Sequence, residues 1–155
     1  MKKITLTDKR KNNYYYNEAI KTLRTNIKLS GQSIKTILIT SCFPNEGKSD
    51  VVLSLAQELG SIGKKVLLLD ADIRKTAYVG RLGVEEEVRG LSQFLSGQAN
   101  INDIIYETNF ENMDIIFGGP SAPNPSGLLS ENVFQVFLKK VREYYSYILI
   151  DTPPI

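Results

Sequence analysis

The sequence has no histidine and only one cysteine, and these absences exclude several kinds of chemistry. Without histidine, the chain has no imidazole for acid–base catalysis or for binding a metal. Because Cys42 has no partner in the chain, no intrachain disulfide can form, which suits a reducing compartment. The 19 basic and 17 acidic side chains nearly cancel, so nothing in the charge balance indicates a nucleic-acid partner.

Long apolar runs are also missing. No run approaches the roughly 18 residues of a membrane helix, and the polar residues 1–13 do not have the pattern of a signal peptide. We therefore expect a cytoplasmic protein. Basic residues cluster before Tyr14, Tyr15 and Tyr16, and we predict that residues 1–16 form a flexible, irregular arm. Such a cluster can contact an acidic membrane or partner, but a solvated leader is the simpler interpretation.

The remaining residues, 17–155, alternate between strand-like and helix-like patterns. The strands are predicted at 35–40, 65–70, 113–117 and 147–151. The helices are predicted from a cap at Asn17 to before Gly31, at 48–59, at 90–96, at 102–106, and as a pair or one broken helix over 125–145. This alternation predicts one α/β domain, with a parallel sheet and flanking helices.

The most informative segment is 41–50, Ser-Cys-Phe-Pro-Asn-Glu-Gly-Lys-Ser-Asp, which lies between a predicted strand and a predicted helix. This is the architecture of a phosphate-binding loop, although Cys42 stands where the strict pattern has glycine. Lys48 would reach the β- and γ-phosphates and the Ser49 hydroxyl would bind magnesium. The predicted nucleotide-binding residues are Pro44, Asn45, Glu46, Gly47, Lys48, Ser49 and Asp50.

Aspartates follow two of the other apolar strands. Asp70 and Asp72 come at the end of the strand at 65–70, and Asp151 ends the strand at 147–151. Ligands bind at the carboxyl edge of an open parallel sheet, so we expect these carboxylates to meet there. They could hold magnesium or accept a proton from an attacking hydroxyl. For Asp70 and Asp72 the alternative is that they cap the following turn.

Taken together, these segments resemble those of the bacterial tyrosine kinases of capsule and exopolysaccharide synthesis. This group belongs with the deviant-Walker P-loop ATPases, which include partition and septum-site proteins. The resemblance covers residues 17–155. It lies in the loop at 41–49, the aspartate motifs at 67–74 and 149–155, and two more specific segments at 18–27 and 119–129.

The resemblance implies transfer of phosphate from ATP, leaving ADP, to tyrosines of protein substrates, largely on a neighbouring copy in a ring. It implies catalytic roles for Lys48, Asp70 and Asp72, with one aspartate activating the tyrosine hydroxyl and the other near the metal. The implied magnesium ligands are Ser49, Asp72 and Asp151. The residues implied in oligomerisation are Glu18, Lys21 and Arg24. It also implies a membrane-spanning polysaccharide co-polymerase adaptor that brings the kinase to the inner face of the membrane.

Several positions depart from the family pattern. Asp50 replaces a threonine, so its carboxylate either repels the phosphates or faces away and recruits nothing. Lys21 replaces an arginine and Gly127 a glutamate. Because the sequence stops soon after Asp151, the C-terminal part of the sheet is expected to be missing. Two alternatives stay open: a partition-type ATPase switch and an inactive nucleotide-binding interaction module.

The tyrosines fall into two groups. Tyr14, Tyr15 and Tyr16 are candidate phosphoacceptors in the N-terminal arm. Tyr144, Tyr145 and Tyr147 lie at a predicted helix–strand junction, where we expect them to pack in the core.

Overall fold

A six-stranded sheet runs through the computed structural model, which describes residues 1–75 and 77–155. The strands are β1 (Lys2–Ile4), β2 (Thr36–Ile39), β3 (Val66–Asp70), β4 (Tyr106–Thr108), β5 (Met113–Ile116) and β6 (Tyr147–Asp151). They lie in the order β1-β4-β5-β3-β6-β2, and the pairs are parallel except for β4 with β5. The predicted α/β fold with a mainly parallel sheet is confirmed.

Helices cover both faces of this sheet. They are α1 (Tyr14–Leu29), α2 (Lys48–Ser61), α3 (Tyr78–Arg81), α4 (Leu91–Leu95), α5 (Ile101–Ile104), α6 (Pro125–Ser130) and α7 (Asn132–Val141). The predicted break within 125–145 is therefore a pair of helices. Across the described ranges, none of these helices is long and apolar enough to cross a bilayer.

The core is divided by the alternation of side chains along the central strand β3, all five residues of which are buried. Val66 and Leu68 pack with α2 on one face. Leu67 and Leu69 pack with α4, α5 and α7 on the other. A strand covered on both faces needs apolar side chains at every position, which explains the continuous run that predicted it.

The prediction of an irregular segment at 1–16 is wrong at both ends, although residues 5–13 form neither helix nor strand. β1 pairs in parallel with β4, and Ile4 and Leu6 are buried in the core. α1 begins at Tyr14 rather than at Asn17, because the side chain of Asn13 accepts a hydrogen bond from the Tyr16 amide at 3.0 Å. Two alternating apolar residues among lysines are too few to signal a strand at the edge of a sheet.

β2 was predicted as a buried strand, but it lies at the other edge of the sheet. Leu38 is 60% exposed there. The sequence could not show this, because an apolar run does not indicate which strands will flank it. The predicted helix at 102–106 is also too long. α5 ends at Ile104 and Tyr106 already belongs to β4, which the sequence did not indicate.

The tyrosines near β6 divide differently from the prediction. Tyr145 and Tyr147 are buried as expected, but Tyr144 is 69% exposed and does not pack in the core. Tyr14 and Tyr15 are exposed on the first turn of α1.

We expect Gly60→Ala to destabilise the protein by about 3 kcal/mol, because the added Cβ would overlap the backbone carbonyl of Glu111. Gly80→Ala, in α3, is the matched control, since among the described residues no atom outside its own helix backbone lies within 4 Å of the added Cβ. The control should stay within about 1 kcal/mol of wild type. Urea unfolding of both variants measures the difference, and equal effects would contradict the close approach at Gly60.

Candidate active site

The loop between β2 and α2 has the backbone turn that its sequence predicts. Gly47 takes up a left-handed conformation (φ 79°) immediately before α2 begins at Lys48. Asn45 is also left-handed, with φ 62°. The Glu46 carboxylate accepts hydrogen bonds of 3.1 Å from the amides of Cys42 and Phe43, so it holds the loop together from within.

Lys48, Ser49 and Asp151 meet in the structure, although about a hundred residues separate the loop from Asp151. The register of β2 on β6 pairs Ile39 with Asp151, which brings the end of β6 beside the loop. Lys48 forms an ion pair with Oδ1 of Asp151. The Ser49 hydroxyl donates to Oδ2 at 2.7 Å. These are the lysine, the hydroxyl and the carboxylate predicted to hold phosphate and metal.

Asp70 lies beside Asp151, because β3 and β6 pair at these two residues. It is buried, and its Oδ1 accepts a hydrogen bond of 3.0 Å from the amide of Asp72. Its Oδ2 is buried without a hydrogen-bond partner among the residues that the structure describes. Burial, with the nearby charges of Asp151 and Asp72, raises the pKa of Asp70 to about 8.

Asp72 takes a different position. Its Oδ1 accepts from the amide of Lys75 at 3.2 Å, so this carboxylate caps the turn that follows β3. In the described ranges, cysteine, aspartate and glutamate side chains do not form a cluster of three or more that could bind a metal. The structure therefore brings Asp70 and Asp151 together and leaves the side chain of Asp72 in its own turn.

The residues present fit a magnesium ion that is shared with phosphates. Magnesium typically takes one or two protein ligands and completes its shell with phosphate oxygens and water. Ser49 and Asp151 supply a hydroxyl and a carboxylate side by side. The unpaired Oδ2 of Asp70 is a buried acceptor that a cation, a water or a hydroxyl would satisfy.

Tyr78 is a site residue that the sequence did not indicate. Its hydroxyl donates to Oδ2 of Asp151 at 2.6 Å and lies 3.3 Å from the carbonyl oxygen of Ser49. Burial and the Asp151 charge raise the pKa of Tyr78 far above its usual range. It comes from a stretch without clear periodicity, so no local pattern could have identified it.

Known proteins resemble this chain over most of its length. The profile of a family described as an AAA domain matches residues 34–155. Tyrosine-protein kinase CpsD of Streptococcus pneumoniae serotype 4 is 40% identical over 141 residues, which are 91% of this chain and 60% of that protein. This chain belongs to the bacterial tyrosine kinase family of AAA-domain proteins. It spans about 60% of the length of CpsD and of tyrosine-protein kinase YwqD of Bacillus subtilis, and 19% of the length of a putative tyrosine-protein kinase of Klebsiella pneumoniae.

Solved structures show the same relationship. The kinase domain of Escherichia coli tyrosine kinase ETK superposes with a TM-score of 0.83 at 31% identity, covering 89% of this chain and 55% of that one. The septum site-determining protein MinD of Pyrococcus horikoshii, complexed with Mg-ADP, has a TM-score of 0.67 at 31% identity. It covers 79% of this chain and 50% of that one. The fold is thus shared with a tyrosine kinase domain and with a protein solved in complex with Mg-ADP.

Asp50, the departure from the bacterial tyrosine kinase pattern within the loop, faces α3. Its carboxylate accepts a 2.7 Å hydrogen bond from Arg81, and both side chains are partly exposed. The expectation that a turned-away Asp50 recruits nothing is wrong, because it recruits this arginine. The pairing offsets the charge of Asp50, so its repulsion of phosphate is weaker than that of an unpaired carboxylate.

The segment at 119–129, which the kinase family resemblance singled out, lies against the loop that follows β3. The Ala122 amide donates to the Ile73 carbonyl at 3.1 Å, and the Ser121 hydroxyl donates to the Arg74 carbonyl at 3.3 Å. Asn124 caps α6, and its side chain accepts from the Gly127 amide. This segment therefore supports the loop that follows Asp70 and carries Asp72.

The three residues that the resemblance assigned to oligomerisation lie on α1, away from the nucleotide loop. Lys21 and Glu18 pair with each other at 3.5 Å and are about half exposed. Arg24 instead pairs with Glu58 of α2 at 2.6 Å, inside the same chain. In this structure, Arg24 thus ties α1 to the helix that begins at the phosphate loop.

Proposed function

We propose that this chain is the nucleotide-binding domain of an ATP-dependent protein-tyrosine kinase that acts in capsular or exopolysaccharide synthesis. The observation that carries the proposal is the convergence of Lys48, Ser49 and Asp151 beside the unpaired carboxylate oxygen of Asp70. CpsD and ETK, to which the chain is similar, are named tyrosine kinases. The proposed domain is 17–155, with the N-terminal strand packed onto it.

Each side chain has a role that its position supports. Lys48 would leave Asp151 and bind the β- and γ-phosphates of ATP, exchanging one anionic partner for another. Ser49 and Asp151 would hold magnesium, which when bound neutralises the charge that develops on the phosphates. We propose Asp72 as an outer ligand of the same ion. The nucleotide-binding set would be the loop backbone from Pro44 to Asp50.

Asp70 is the proposed acceptor of the proton from the substrate tyrosine. Its Oδ2 has no hydrogen-bond partner among the described residues, and it is buried beside Asp151, where the phosphates would end. The ionised form of Asp70 accepts the proton as the tyrosine oxygen attacks the γ-phosphorus and the bond to the leaving ADP oxygen breaks. The raised pKa supports this role, because it makes the ionised carboxylate a stronger base.

The partners proposed for the complete protein come from the family resemblance. They are neighbouring copies that contact α1 through Glu18, Lys21 and Arg24, and a membrane-spanning polysaccharide co-polymerase adaptor. The adaptor would hold the kinase at the inner face of the membrane. Glu18 and Lys21 are exposed enough for a neighbour to reach, whereas Arg24 would first have to leave Glu58.

The test is incubation of the chain with labelled ATP and magnesium, alone and with an activating adaptor fragment. Labelled phosphotyrosine is the expected product. Release of phosphate without phosphotyrosine would instead favour a partition-type ATPase switch, which the likeness to MinD with Mg-ADP makes the second candidate. Calorimetry with ATP separates a third outcome, because an inactive interaction module would bind nucleotide without turnover. A chain that binds no ATP would contradict the proposal.

A further inference from the structure

The position of Tyr78 is fixed independently of any ligand. Its ring belongs to the core cluster that joins α2 to the sheet, and it is 1% exposed. α3 is anchored to α2 by the Arg81–Asp50 pair, and the chain after α3 is held by the Thr7 amide, which donates to the Leu82 carbonyl at 2.9 Å. Because the ring is fixed by its packing, the hydroxyl is held within hydrogen-bond distance of Oδ2 of Asp151.

Three side chains donate to the Asp151 carboxylate, and nucleotide binding would give two of them other partners. Lys48 and Ser49 are the proposed ligands of phosphate and magnesium, so both would reorient when ATP binds. Tyr78 is not among the proposed ligands of phosphate or magnesium, and its hydroxyl donates to Oδ2 at 2.6 Å, with the Ser49 carbonyl oxygen 3.3 Å away. Because its ring is packed in the core, this hydroxyl is expected to stay on Asp151 when Lys48 and Ser49 move.

We infer that Tyr78 is a positioning residue, which holds the Asp151 carboxylate in the orientation that binds magnesium. The inference rests on the proposed nucleotide site. With one lone pair of Oδ2 committed to Tyr78, rotation of the carboxylate breaks a charge-assisted hydrogen bond in a buried site. The remaining lone pairs of Asp151 then point in set directions. Partners of this kind, behind a metal ligand, typically change metal affinity by about 10- to 100-fold when they are removed.

The test is Tyr78→Phe, which keeps the ring and removes only the donor. ATP binding is measured by calorimetry over a series of Mg²⁺ concentrations and also in EDTA. We expect the variant to need roughly 10-fold more Mg²⁺ for half of the magnesium-dependent gain in ATP affinity. Its ATP affinity in EDTA should stay within about 2-fold of wild type, since the phosphate-binding loop is unchanged.

Tyr145→Phe is the matched control. Tyr145 also donates a 2.6 Å hydrogen bond to a buried carboxylate, that of Asp114. Asp114 lies on β5, which β3 and β6 separate from β2 and the phosphate-binding loop. Both variants should lose similar thermal stability, but only Tyr78→Phe should shift the Mg²⁺ requirement. An unchanged Mg²⁺ requirement in Tyr78→Phe, or an equal shift in Tyr145→Phe, would overturn the inference. Wild-type protein that binds no ATP at any Mg²⁺ concentration would overturn the proposed function first and this inference with it.

Discussion

Replacing Lys48 by methionine is expected to reduce phosphotyrosine formation at least about 100-fold. The ammonium group would stabilise the charge on the transferring phosphate, and methionine keeps the bulk without the charge. Among the described residues, the same change leaves the buried Asp151 carboxylate with only hydroxyl donors in the nucleotide-free protein. Removing one partner of a buried ion pair is costly, so the variant should also unfold at a lower temperature.

The loss of activity has to be separated from this loss of stability. Lys65→Met is the control, because Lys65 also pairs with a buried carboxylate, Asp114, at 3.2 Å. This pair lies at the opposite end of β3 from Asp70. We expect Lys65→Met to keep most of its phosphotyrosine formation, measured with labelled ATP, magnesium and the adaptor fragment below the melting temperature of each variant. More than a tenth of wild-type activity in Lys48→Met would argue against the role given to this lysine.

Asp70→Asn is expected to stabilise the nucleotide-free protein, and increasingly so as the pH rises. The pKa of Asp70 is about 8 in the folded protein against an ordinary value of 3.8, so the folded state binds this proton more tightly than the unfolded state. Its contribution to stability is complete below about pH 4 and is lost as the pH rises toward and through 8. Asparagine has no proton to lose, so the variant avoids that loss.

The gap between variant and wild type should widen by on the order of 3 kcal/mol from pH 5 to pH 8, roughly 5–10 °C in melting temperature. Thermal unfolding monitored by circular dichroism at both pH values measures it. The same variant should form almost no phosphotyrosine, because it lacks the proton acceptor. Asp72→Asn is the control, since the asparagine oxygen can still accept from the Lys75 amide and the stability should change little at either pH. A gap that is the same at pH 5 and pH 8 would mean that Asp70 is already ionised in the folded protein.

Much of the site could be predicted because its signals are local. Gly47 and Lys48 stand between an apolar run and an amphipathic helix, and that order alone implies a strand, a turn and a helix N-terminus. Asp70 and Asp151 each end an apolar strand, and the geometry of parallel sheets brings such ends to one edge. Asp70 and Asp151 therefore lie side by side because each ends a strand, and the sequence pattern shows where these strands end.

The failures share a different cause. β1 has too few apolar residues to be recognised from the sequence. It forms because it pairs with β4 and because Ile4 and Leu6 are buried in the core. β2 looks like a central strand, but its exposure depends on where the sheet ends. Neither property is encoded in the segment itself, since both depend on residues about a hundred positions away.

The sequence by itself therefore determined that this chain has an α/β P-loop fold with a lysine, a serine and aspartates at one edge of a parallel sheet. Only the tertiary structure decided how these groups are used. It directs Asp50 toward Arg81, commits Asp72 to its turn, buries Asp70 until its pKa approaches 8, and brings Tyr78 to Asp151. The physical reason is that charge, burial and hydrogen bonding depend on distances across the fold, whereas turns and strand ends depend on neighbours along the chain.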